Sequence, residues 1–464
     1  TLSPSSAASD VYKRQVRRRE DVVGIHGCII THPRTWEASG HLESFFDYLV
    51  TCSRCGRDFR ADHLLEDAGV KVVKLTAEEI SRLIREKGVR CPECGGELSE
   101  PVPFNLMFTT YVGPKRTRAS EAYLRPETAQ LIFLNFKDVY YASRLKLPFG
   151  IAQVGKVFRN EISPRNFLFR LREFEQMEIE YFVNPRKMND CPLFKDVADM
   201  EVQLLTAERQ EKGLEEPLRI TLEEAWEEGL ISCKWHAYWI GESLRWLERI
   251  GISLERIRVR EHVKTELAHY AIQTFDIEYN FPFMGWKEIE GVSNRGDYDL
   301  RRHQQYSGKD LAVEDDGEKV LPHVIEPSFG LERIILAALA DAYTLIKGRP
   351  VLSLHPRIAP VKVAVFPIVN KPDFARKARE IYHMVKEHYT AIYDEKGTIG
   401  KRYFKADEIG VPLAITIDGK TLEDDTVTVR FRDTREQIRV HTSQLIQKIR
   451  EILENWHHHT TRKT

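Results

Sequence analysis

The sequence has almost no net charge, few cysteines and no long apolar run. Lys and Arg together number 69 and Asp and Glu number 70, so the formal net charge of the 464-residue chain is −1. This balance gives no support for strong non-specific attraction to nucleic acid, although it is compatible with a local basic face. No apolar segment approaches the roughly 20 residues of a membrane-spanning helix, so we expect no membrane partner.

Seven cysteines are too few for a disulfide scaffold in a chain of this length, and they indicate a reducing compartment. Four of them form the motifs CSRC (52–55) and CPEC (91–94). Paired CxxC motifs predict one structural, tetrahedral Zn²⁺ held by four thiolates; the alternative is two unrelated cysteine pairs. The predicted ligands are Cys52, Cys55, Cys91 and Cys94. We interpret Cys28, Cys191 and Cys233 as packing residues.

The first fifteen residues, TLSPSSAASDVYKRQ, are rich in Ser, Ala and Pro and lack the apolar stretch of a secretory signal. We interpret residues 1–15 as a disordered or foreign leader. The basic run VRRRE (16–20) is interpreted as a solvated face, with a nucleic-acid patch as the alternative. The hydrophobic content of 42% and charged content of 30% are typical of globular proteins, and the length allows two or three domains.

Several elements can be predicted from local signals. LTAEEISRLIREKG predicts a helix with Thr76 as its N-cap and Gly88 just past its end. Residues 185–260 carry Glu, Lys, Trp and Leu at helical spacing, so we expect a helical insertion there. HPRIAP (355–360) contains two prolines and is interpreted as a linker. Beyond it, alternating strands and helices predict a compact α/β domain.

A ribbon rich in Arg, Glu and Phe covers residues 155–182. A period of two places Arg159 and Glu161 on one face of a first strand. On the return strand, one face would carry Arg172, Phe174, Gln176, Glu178 and Glu180. Cations, an aromatic ring and carboxylates on one sheet face suit a nucleotide triphosphate, because a guanidinium binds phosphate bidentately. The alternative is a ladder of ion pairs on an exposed sheet.

A second motif, PSFGLERII (327–335), has a Gly at the start of a helix and an Arg three residues later. Together with FRNE and the aromatic return strand, it resembles motifs 2 and 3 of class II aminoacyl-tRNA synthetases, and most closely homodimeric glycyl-tRNA synthetases. The matching stretches are WEASGH (36–41), FRADHLLE (59–66), RPETAQ (125–130), FRNEISPRNFLFRLREFEQMEIE (158–180), ELAHYA (266–271), RGDYDL (295–300), EPSFGLER (326–333) and DDTVTVRFRDT (424–434).

The resemblance implies an α+β fold in which helices flank an antiparallel catalytic sheet, followed by an α/β anticodon-binding domain. The expected boundaries are a catalytic domain at 16–350 with a zinc-ribbon-like insertion at 51–100 and the helical insertion at 185–260, a linker at 351–360, and the anticodon-binding domain at 361–464. The family's usual opening segment, which begins motif 1, has no counterpart before Val16. We therefore expect either an N-terminally incomplete fragment or a chain whose dimer and activity are compromised.

The implied activity is ATP-dependent attachment of glycine to tRNA(Gly) through glycyl-adenylate, in a cytoplasmic homodimer, with Mg²⁺ accompanying ATP and Zn²⁺ in a structural role. One rival is a non-catalytic synthetase-like protein that binds nucleic acid, which would be expected to lose the ATP-binding arginines. Another is a synthetase for a different amino acid, which the matched glycine residues disfavour.

The resemblance also implies the site residues. Arg159 and Arg333 are the implied catalytic residues, and Glu288 would help to hold Mg²⁺. The residues implied at the ATP site are Arg159, Asn160, Glu161, Phe169, Arg170, Leu171, Arg172, Glu173, Phe174, Glu288, Ile289, Gly330, Leu331, Glu332 and Arg333. Those implied at the glycine site are Arg60, Glu127, Phe174, Glu175, Gln176, Met177, Glu178, Arg295, Glu326, Pro327, Ser328, Phe329 and Gly330.

This division of roles is physically reasonable, because glycine offers only an ammonium and a carboxylate. Carboxylates would hold the ammonium, Arg295 would hold the carboxylate, and close walls would exclude a Cβ. Two further expectations concern other parts of the chain. Met284, an apparent extra residue, would shift the register near Glu288. Contacts with the tRNA backbone are expected from Arg430, Arg432 and Arg435, with a solvated strand face as the alternative.

Overall fold

The computed structural model describes residue 16 and residues 19–70 and 75–456. The leader expected at 1–15 and two arginines of the basic run lie outside the described residues. The chain divides into two compact units. The first comprises the described residues up to Leu244 together with Glu255–Ile334, and the second comprises Arg245–Leu254 and residues 335–456. No helix in the described ranges has the length and apolar character needed to cross a membrane.

The first unit is built on strands with helices packed against them. Its strands are β1 (Val22–Gly24), β2 (Ile30–Thr31), β3 (Phe46–Thr51), β4 (Asp58–Arg60), β5 (Val102–Asn105), β6 (Phe108–Tyr111), β7 (Glu121–Leu124), β8 (Phe149–Phe158), β9 (Glu173–Val183), β10 (Glu201–Leu205), β11 (Leu218–Thr221), β12 (Ile257–Glu261), β13 (Gln273–Phe281), β14 (Gly285–Gly296), β15 (Val313–Asp315), β16 (Glu318–Val320) and β17 (His323–Gly330). The helices up to residue 342 are α1 (Pro33–Ser39), α2 (His41–Ser44), α3 (Ala61–Asp67), α4 (Ala77–Glu86), α5 (Ala129–Ser143), α6 (Ala207–Glu211), α7 (Leu222–Glu227), α8 (Lys234–Arg249), α9 (Tyr298–Ser307) and α10 (Leu331–Ala342).

The main sheet has nine strands in the order β1-β8-β9-β17-β14-β13-β12-β10-β11. Its pairings are antiparallel except for β1–β8 and β10–β12. Neighbouring residues of β9 point to opposite faces, as strand geometry requires. The Tyr181 ring packs 4.9 Å from that of Trp235 in α8, and the Phe182 ring packs 4.2 Å from that of Phe136 in α5. Helices therefore cover both faces, which confirms the expected antiparallel sheet flanked by helices.

The expected helical insertion at 185–260 also contains strands. Besides α6, α7 and α8, this segment holds β10, β11 and β12, which extend the main sheet beyond β13. These strands are only four or five residues long. Strands this short are stabilised by pairing with neighbouring strands rather than by their own propensity, so helical spacing in the surrounding residues concealed them. The insertion is therefore a mixture of helices and strands, and the expectation of a helical insertion is wrong in this respect.

The arginine-rich ribbon is partly loop. Strand β8 ends at Phe158 and β9 begins at Glu173, so Arg159, Glu161 and Arg172 lie between the strands rather than on them. The Arg159 N–H donates to the Arg172 carbonyl at 2.9 Å, which continues the pairing for one more step. Alternation within β9 holds as expected.

The predicted helix in the cysteine-containing insertion is confirmed. Helix α4 begins after Thr76, whose side chain and that of Glu79 form a reciprocal capping box, and Gly88 just past its end has φ +62°. Helices α3 and α4 pack against a three-stranded sheet in the order β4-β3-β5 through a small apolar core.

The second unit contains the predicted α/β fold. Its elements after α10 are β18 (Tyr343–Ile346), β19 (Arg349–Leu352), β20 (Val363–Pro367), α11 (Pro372–Lys386), β21 (Ala391–Tyr393), α12 (Ile399–Glu408), β22 (Leu413–Ile417), α13 (Gly419–Asp424), β23 (Thr426–Phe431), β24 (Gln437–His441) and α14 (Leu445–Glu454). The sheet order is β21-β20-β22-β23-β24. Helices α11 and α14 share the larger apolar core, and α12 contributes to a second.

The expectation that Arg430 and Arg432 contact the tRNA backbone is wrong. Arg430 is buried against Asp407, with bonds of 2.8 and 2.9 Å, and Arg432 is buried with its guanidinium on Asp433. Buried, paired arginines are structural and unavailable to tRNA, because their neighbours in the fold occupy their donors. Lys362 Nζ donates to the carbonyl of Ala359 in the segment HPRIAP at 2.7 Å, and the role of this segment as a linker stays a prediction.

Candidate active site

A hollow lies where β9, β17, β14 and the start of α10 meet the loop between β8 and β9. Most of its lining residues belong to the set implied for ATP. The lining residues are Arg159, Glu161, Leu168, Phe169, Arg170, Leu171, Phe174, Gln176, Glu288, Ser328, Gly330, Glu332 and Arg333.

Three guanidinium groups line this hollow: Arg170 pairs with Glu161 at 3.2 Å, and the other two each lie over an aromatic ring. The Arg159 guanidinium lies 5.2 Å from the Phe174 ring centre, and that of Arg333 lies 4.5 Å from the Phe169 ring centre. Arg333 Nη1 contacts the Glu288 carboxylate at 2.9 Å, whereas no carboxylate of the described residues pairs with Arg159. The Arg159 side chain is held instead by donation from Nε to the Pro126 carbonyl at 3.2 Å. Arg159 thus lines the hollow without a carboxylate of the described residues at ion-pair distance, an arrangement that suits a phosphate.

A β-bulge directs Glu288 toward the hollow. Glu278 pairs with Glu288 across β13 and β14, but Ile277 pairs with Glu290, so Ile289 has no cross-strand partner. One extra residue reverses the alternation of side chains. Glu288 therefore contacts Arg333, while the Glu290 carboxylate accepts from Ser243 of α8.

A second group of carboxylates lies beside the hollow. Glu178 accepts from Thr128 N at 2.7 Å and from Ser328 Oγ at 3.0 Å, and Ser328 Oγ also accepts from Gln176 Nε2 at 2.9 Å. Glu127 Oε2 lies 3.3 Å from His41 Nε2. This network holds each carboxylate in a defined orientation.

Arg295 fixes the position of a third carboxylate, that of Glu326. It is 2% exposed, donates through Nη1 to Glu326 at 2.8 and 2.9 Å, and donates through Nε and Nη2 to Asp299 at 2.7 and 2.9 Å. The Tyr270 ring stacks 3.8 Å from the guanidinium. Most of the Arg295 donors are therefore occupied by protein carboxylates, and the residue fixes Glu326 in place.

The charges of these acids are interdependent. Burial raises the pKa of Glu178, and the nearby Glu127 raises it further. Burial alone would also raise the pKa of Glu127, but His41 and Arg295 outweigh it and lower that pKa. Buried acids this close together favour the binding of a cation, because a cation offsets the repulsion between their negative charges.

The four predicted cysteine ligands converge at one point in the insertion. The Sγ atoms of Cys52 and Cys94 lie 3.5 Å apart, those of Cys55 and Cys91 lie 3.7 Å apart, and all four lie within 4.8 Å of one another. The two motifs have matching turns: Cys52 N–H donates to the carbonyl five residues on, and Cys91 N–H does the same.

The other three cysteines have different environments. Cys191 and Cys233 are buried, as packing residues should be. Cys28 is exposed, so the packing interpretation is wrong for it.

Comparisons with known proteins agree with this geometry. Residues 111–342 match the tRNA synthetase class II core domain (G, H, P, S and T), and residues 362–452 match the Anticodon binding domain. The chain is 44% identical over 455 residues to a glycine–tRNA ligase of Caldanaerobacter subterraneus subsp. tengcongensis, covering 95% of this chain and 88% of that protein. It is 41% identical over 457 residues to a glycine–tRNA ligase of Treponema denticola, covering 96% and 88%.

The chain belongs to the glycine–tRNA ligase family. It attaches glycine to tRNA, and the non-catalytic alternative is not favoured. The class uses ATP and Mg²⁺, and the anticodon-binding domain supports binding of tRNA. A prolyl-tRNA synthetase from Cryptosporidium parvum shares the fold, with a TM-score of 0.56, 16% identity, and coverage of 97% of this chain and 69% of that one.

Some residues implied for this ligase do not face the site. Arg60 pairs with Asp47 at 2.6 Å and with Asp62, and lies 3.5 Å from Glu161, so it borders the hollow rather than the group of carboxylates beside it. Glu173 pairs with Lys156. Four others have completely buried side chains and offer only main-chain groups. They are Met177, Ile289, Phe329 and Leu331.

Other residues of the ligase pocket were not predicted. Thr128, His41 and Asp299 each contact an acidic or basic group of the pocket directly. All three lie within stretches that carry the family resemblance. Asp299 follows Arg295 by four residues, but Arg295 lies on β14 and Asp299 on α9, so the helical i, i+4 rule does not predict this ion pair.

Proposed function

We propose that the hollow binds ATP and that the carboxylate pocket beside it binds glycine. Arg159 and Arg333 would hold the phosphates, and Phe174 would stack on the base. No carboxylate of the described residues pairs with Arg159. This supports the proposal, because the donors of an unpaired guanidinium are free to bind phosphate. Glycine's carboxylate would attack the α-phosphorus in line and release pyrophosphate.

Glu127, Glu178 and Glu326 would hold the glycine ammonium, with Ser328 completing the wall. Glycine has no side chain to recognise, so specificity must come from the ammonium and from exclusion of anything larger. The defined orientation of each carboxylate supports this role. Arg295 would serve the pocket by fixing Glu326. No general base is required, because the attacking carboxylate is already ionised; catalysis is positioning plus stabilisation of charge.

Mg²⁺ would be held by Glu288 together with the ATP phosphates. The Glu288 side chain is 46% exposed toward the hollow, and Mg²⁺ bound with a nucleotide commonly takes one or two protein carboxylates. The ion would offset phosphate charge when bound. Arg333 holds Glu288 in place and adds its own positive charge on the same side.

The terminal adenosine of tRNA would enter a second cavity that shares Glu127 and Arg159 with the first site. Its walls include the rings of Phe45, Phe46 and Tyr48. Unpaired bases are commonly bound by stacking on aromatic side chains. The ribose hydroxyl would then attack the carbonyl carbon of glycyl-adenylate, forming the ester bond to glycine and releasing AMP and the hydroxyl proton.

The cysteine cluster would hold one structural Zn²⁺. Four thiolates at about 2.3 Å from a tetrahedral ion lie about 3.8 Å apart, and the observed separations of 3.5 and 3.7 Å fit that geometry. Bound there, the ion would tie the CSRC and CPEC turns together. The free thiols also suit a cytoplasmic location.

We extend the proposal to assembly and domain limits. The catalytic domain would span 16–350, and 361–464 would bind the anticodon, with Arg435 as the remaining candidate for backbone contact. The small sheet β2-β7-β6 carries exposed apolar side chains at and beside its strands, which supports a homodimer. These are Ile29, Ile30, Tyr111 and Val112. Sedimentation at assay concentration measures this, and a monomer would contradict it.

The test of the glycine pocket is glycine-dependent exchange of pyrophosphate into ATP. Glu178→Gln should raise KM for glycine at least about tenfold by removing a charge-assisted contact, with KM for ATP unchanged. Alanine and serine serve as control substrates and should support no exchange. An unchanged KM for glycine in the variant would refute the pocket.

A further inference from the structure

Glu180 is a buried acid to which the proposed ATP and glycine sites assign no role. It lies on the same face of β9 as Gln176 and Glu178 and is 0% exposed. Neither of its carboxylate oxygens has a hydrogen-bond partner among the described residues. The neighbouring carboxylates differ, since Glu178 and Glu326 each accept two or more hydrogen bonds.

Glu180 is close to the glycine pocket. One oxygen from each of Glu178, Glu180 and Glu326 lies within 4.8 Å of the others. The charged groups that face Glu180 are these two acids together with Arg295 and Asp299. Arg295 directs its bonds to Asp299 and Glu326, so it offers Glu180 no contact.

An ionised carboxylate at this position would be very unfavourable. Burying a charge without a partner costs several kcal/mol, and adjacent acids add repulsion. Burial accordingly raises the pKa of Glu180 well above its ordinary value, and Glu326 raises it further. Burial also raises the pKa of Glu326, but the bidentate contact with Arg295 favours the ionised form there. Of the two acids, the proton therefore belongs on Glu180.

We infer that Glu180 is a positioning residue for the ligase reaction: it remains a neutral carboxylic acid, and its O–H donates a hydrogen bond to the Glu326 carboxylate. Glu326 is then held between Arg295 and Glu180, with its remaining lone pairs directed to the glycine ammonium. A neutral Glu180 also limits the negative charge buried beneath the substrate. A carboxyl group kept neutral by an apolar surrounding so that it can donate is an established device in enzymes. The inference rests on the glycine pocket proposed above.

Two substitutions of Glu180 test whether the residue acts as a hydrogen-bond donor or as a negative charge. Glu180→Gln is neutral and keeps an N–H donor, so KM for glycine should stay within about threefold of wild type. Glu180→Met has similar volume but no donor, so KM for glycine should rise about tenfold, the cost of one hydrogen bond to a charged group. Because the ammonium is bound alike before and during reaction, kcat and KM for ATP should stay within about threefold.

Glu290→Gln and Glu290→Met are the matched controls. Glu290 is equally buried on the same sheet but contacts Ser243 of α8, away from the pocket. Its variants should change thermal stability and leave KM for glycine unchanged. The same result from Glu180→Met as from Glu290→Met would overturn the inference, because it would show a structural role alone.

The charge state is tested separately from activity. The infrared C=O band of a protonated carboxylic acid should weaken in Glu180→Gln relative to wild type, and an unchanged band would overturn the inference even if Glu180→Met fails to fold. If Glu180→Gln raises KM for glycine as much as Glu178→Gln does, Glu180 is an ionised ligand of the ammonium and the inference is wrong. If Glu178→Gln leaves that KM unchanged while the infrared band weakens, the glycine pocket fails and the neutral state of Glu180 stands.

Discussion

Replacing Arg159 with alanine should almost abolish formation of the adenylate. The Arg159 guanidinium lies over Phe174 at 5.2 Å and has no carboxylate partner among the described residues. Its donors are therefore free to contact charge that develops on the α-phosphate. Removing one preorganised donor of this kind typically lowers kcat by about 10²–10³-fold, or about 3–4 kcal/mol.

The fold should tolerate the same change. Among the described residues the Arg159 side chain makes one hydrogen bond, from Nε to the Pro126 carbonyl at 3.2 Å, and the residue is half-buried. Losing this bond and the cation–π contact with Phe174 should cost roughly 1–2 kcal/mol of the free energy of unfolding. A large loss of activity with a small loss of stability is the expected signature.

The assay is glycine-dependent exchange of pyrophosphate into ATP, with urea unfolding of each preparation alongside. Arg159→Lys is the control, because it keeps the charge but loses the bidentate fork, so its activity should be intermediate. Exchange by Arg159→Ala within about threefold of wild type would refute the assignment. So would a loss of exchange that simply follows a loss of folded protein.

Three other outcomes are expected. Protein purified without chelator should contain one Zn per chain by elemental analysis, and Cys91→Ser should lose it; a metal-free wild type would contradict this. Gly155→Ala should destabilise the fold by about 1–3 kcal/mol in urea, because its Cβ would lie 2.4 Å from Nη2 of the hydrogen-bonded Arg125, whereas Gly291→Ala meets no atom and serves as the control. Burial lowers the pKa of His236 from 6.5 to about 4, so the unfolded chain binds more protons between those values and stability should fall by up to about 3 kcal/mol as pH drops through that range. Equal pH dependence in wild type and His236→Asn would disprove the last expectation.

In the second unit, burial contradicted an expectation that we drew from the pattern of charged residues in the sequence. VTVRFRD alternates apolar and basic residues, and this pattern led us to expect arginines exposed to tRNA. Arg430 instead inserts against Asp407 with both positions buried. Strand alternation predicts that the two kinds of residue face opposite ways but does not say which face is covered. Helix α12, which carries Asp407, covers that face.

In the active site, too, some features can be predicted from short stretches of sequence, whereas others depend on how distant strands pair. The family resemblance alone identified Arg159, Glu288 and Arg333 as candidate site residues. The bulge at Ile289 and the end of β8 at Phe158 were not visible in them, because both depend on how distant strands pair. Alternation alone would have placed Arg159 on a strand and would have directed Glu288 and Glu290 to the same face.

The sequence by itself determined the family, the ligase activity, the α/β nature of the second unit and the helix that begins after Thr76. These depend on residue identities at fixed spacings and on caps within one helical turn, which act locally. Only the tertiary structure decided that Glu178 and Glu326 have hydrogen-bond partners while Glu180 has none among the described residues. The partners lie at the start of α5 and on β14 and β17, between 31 and 150 residues away in the chain. A carboxylate's charge state depends on what surrounds it rather than on its place in the chain.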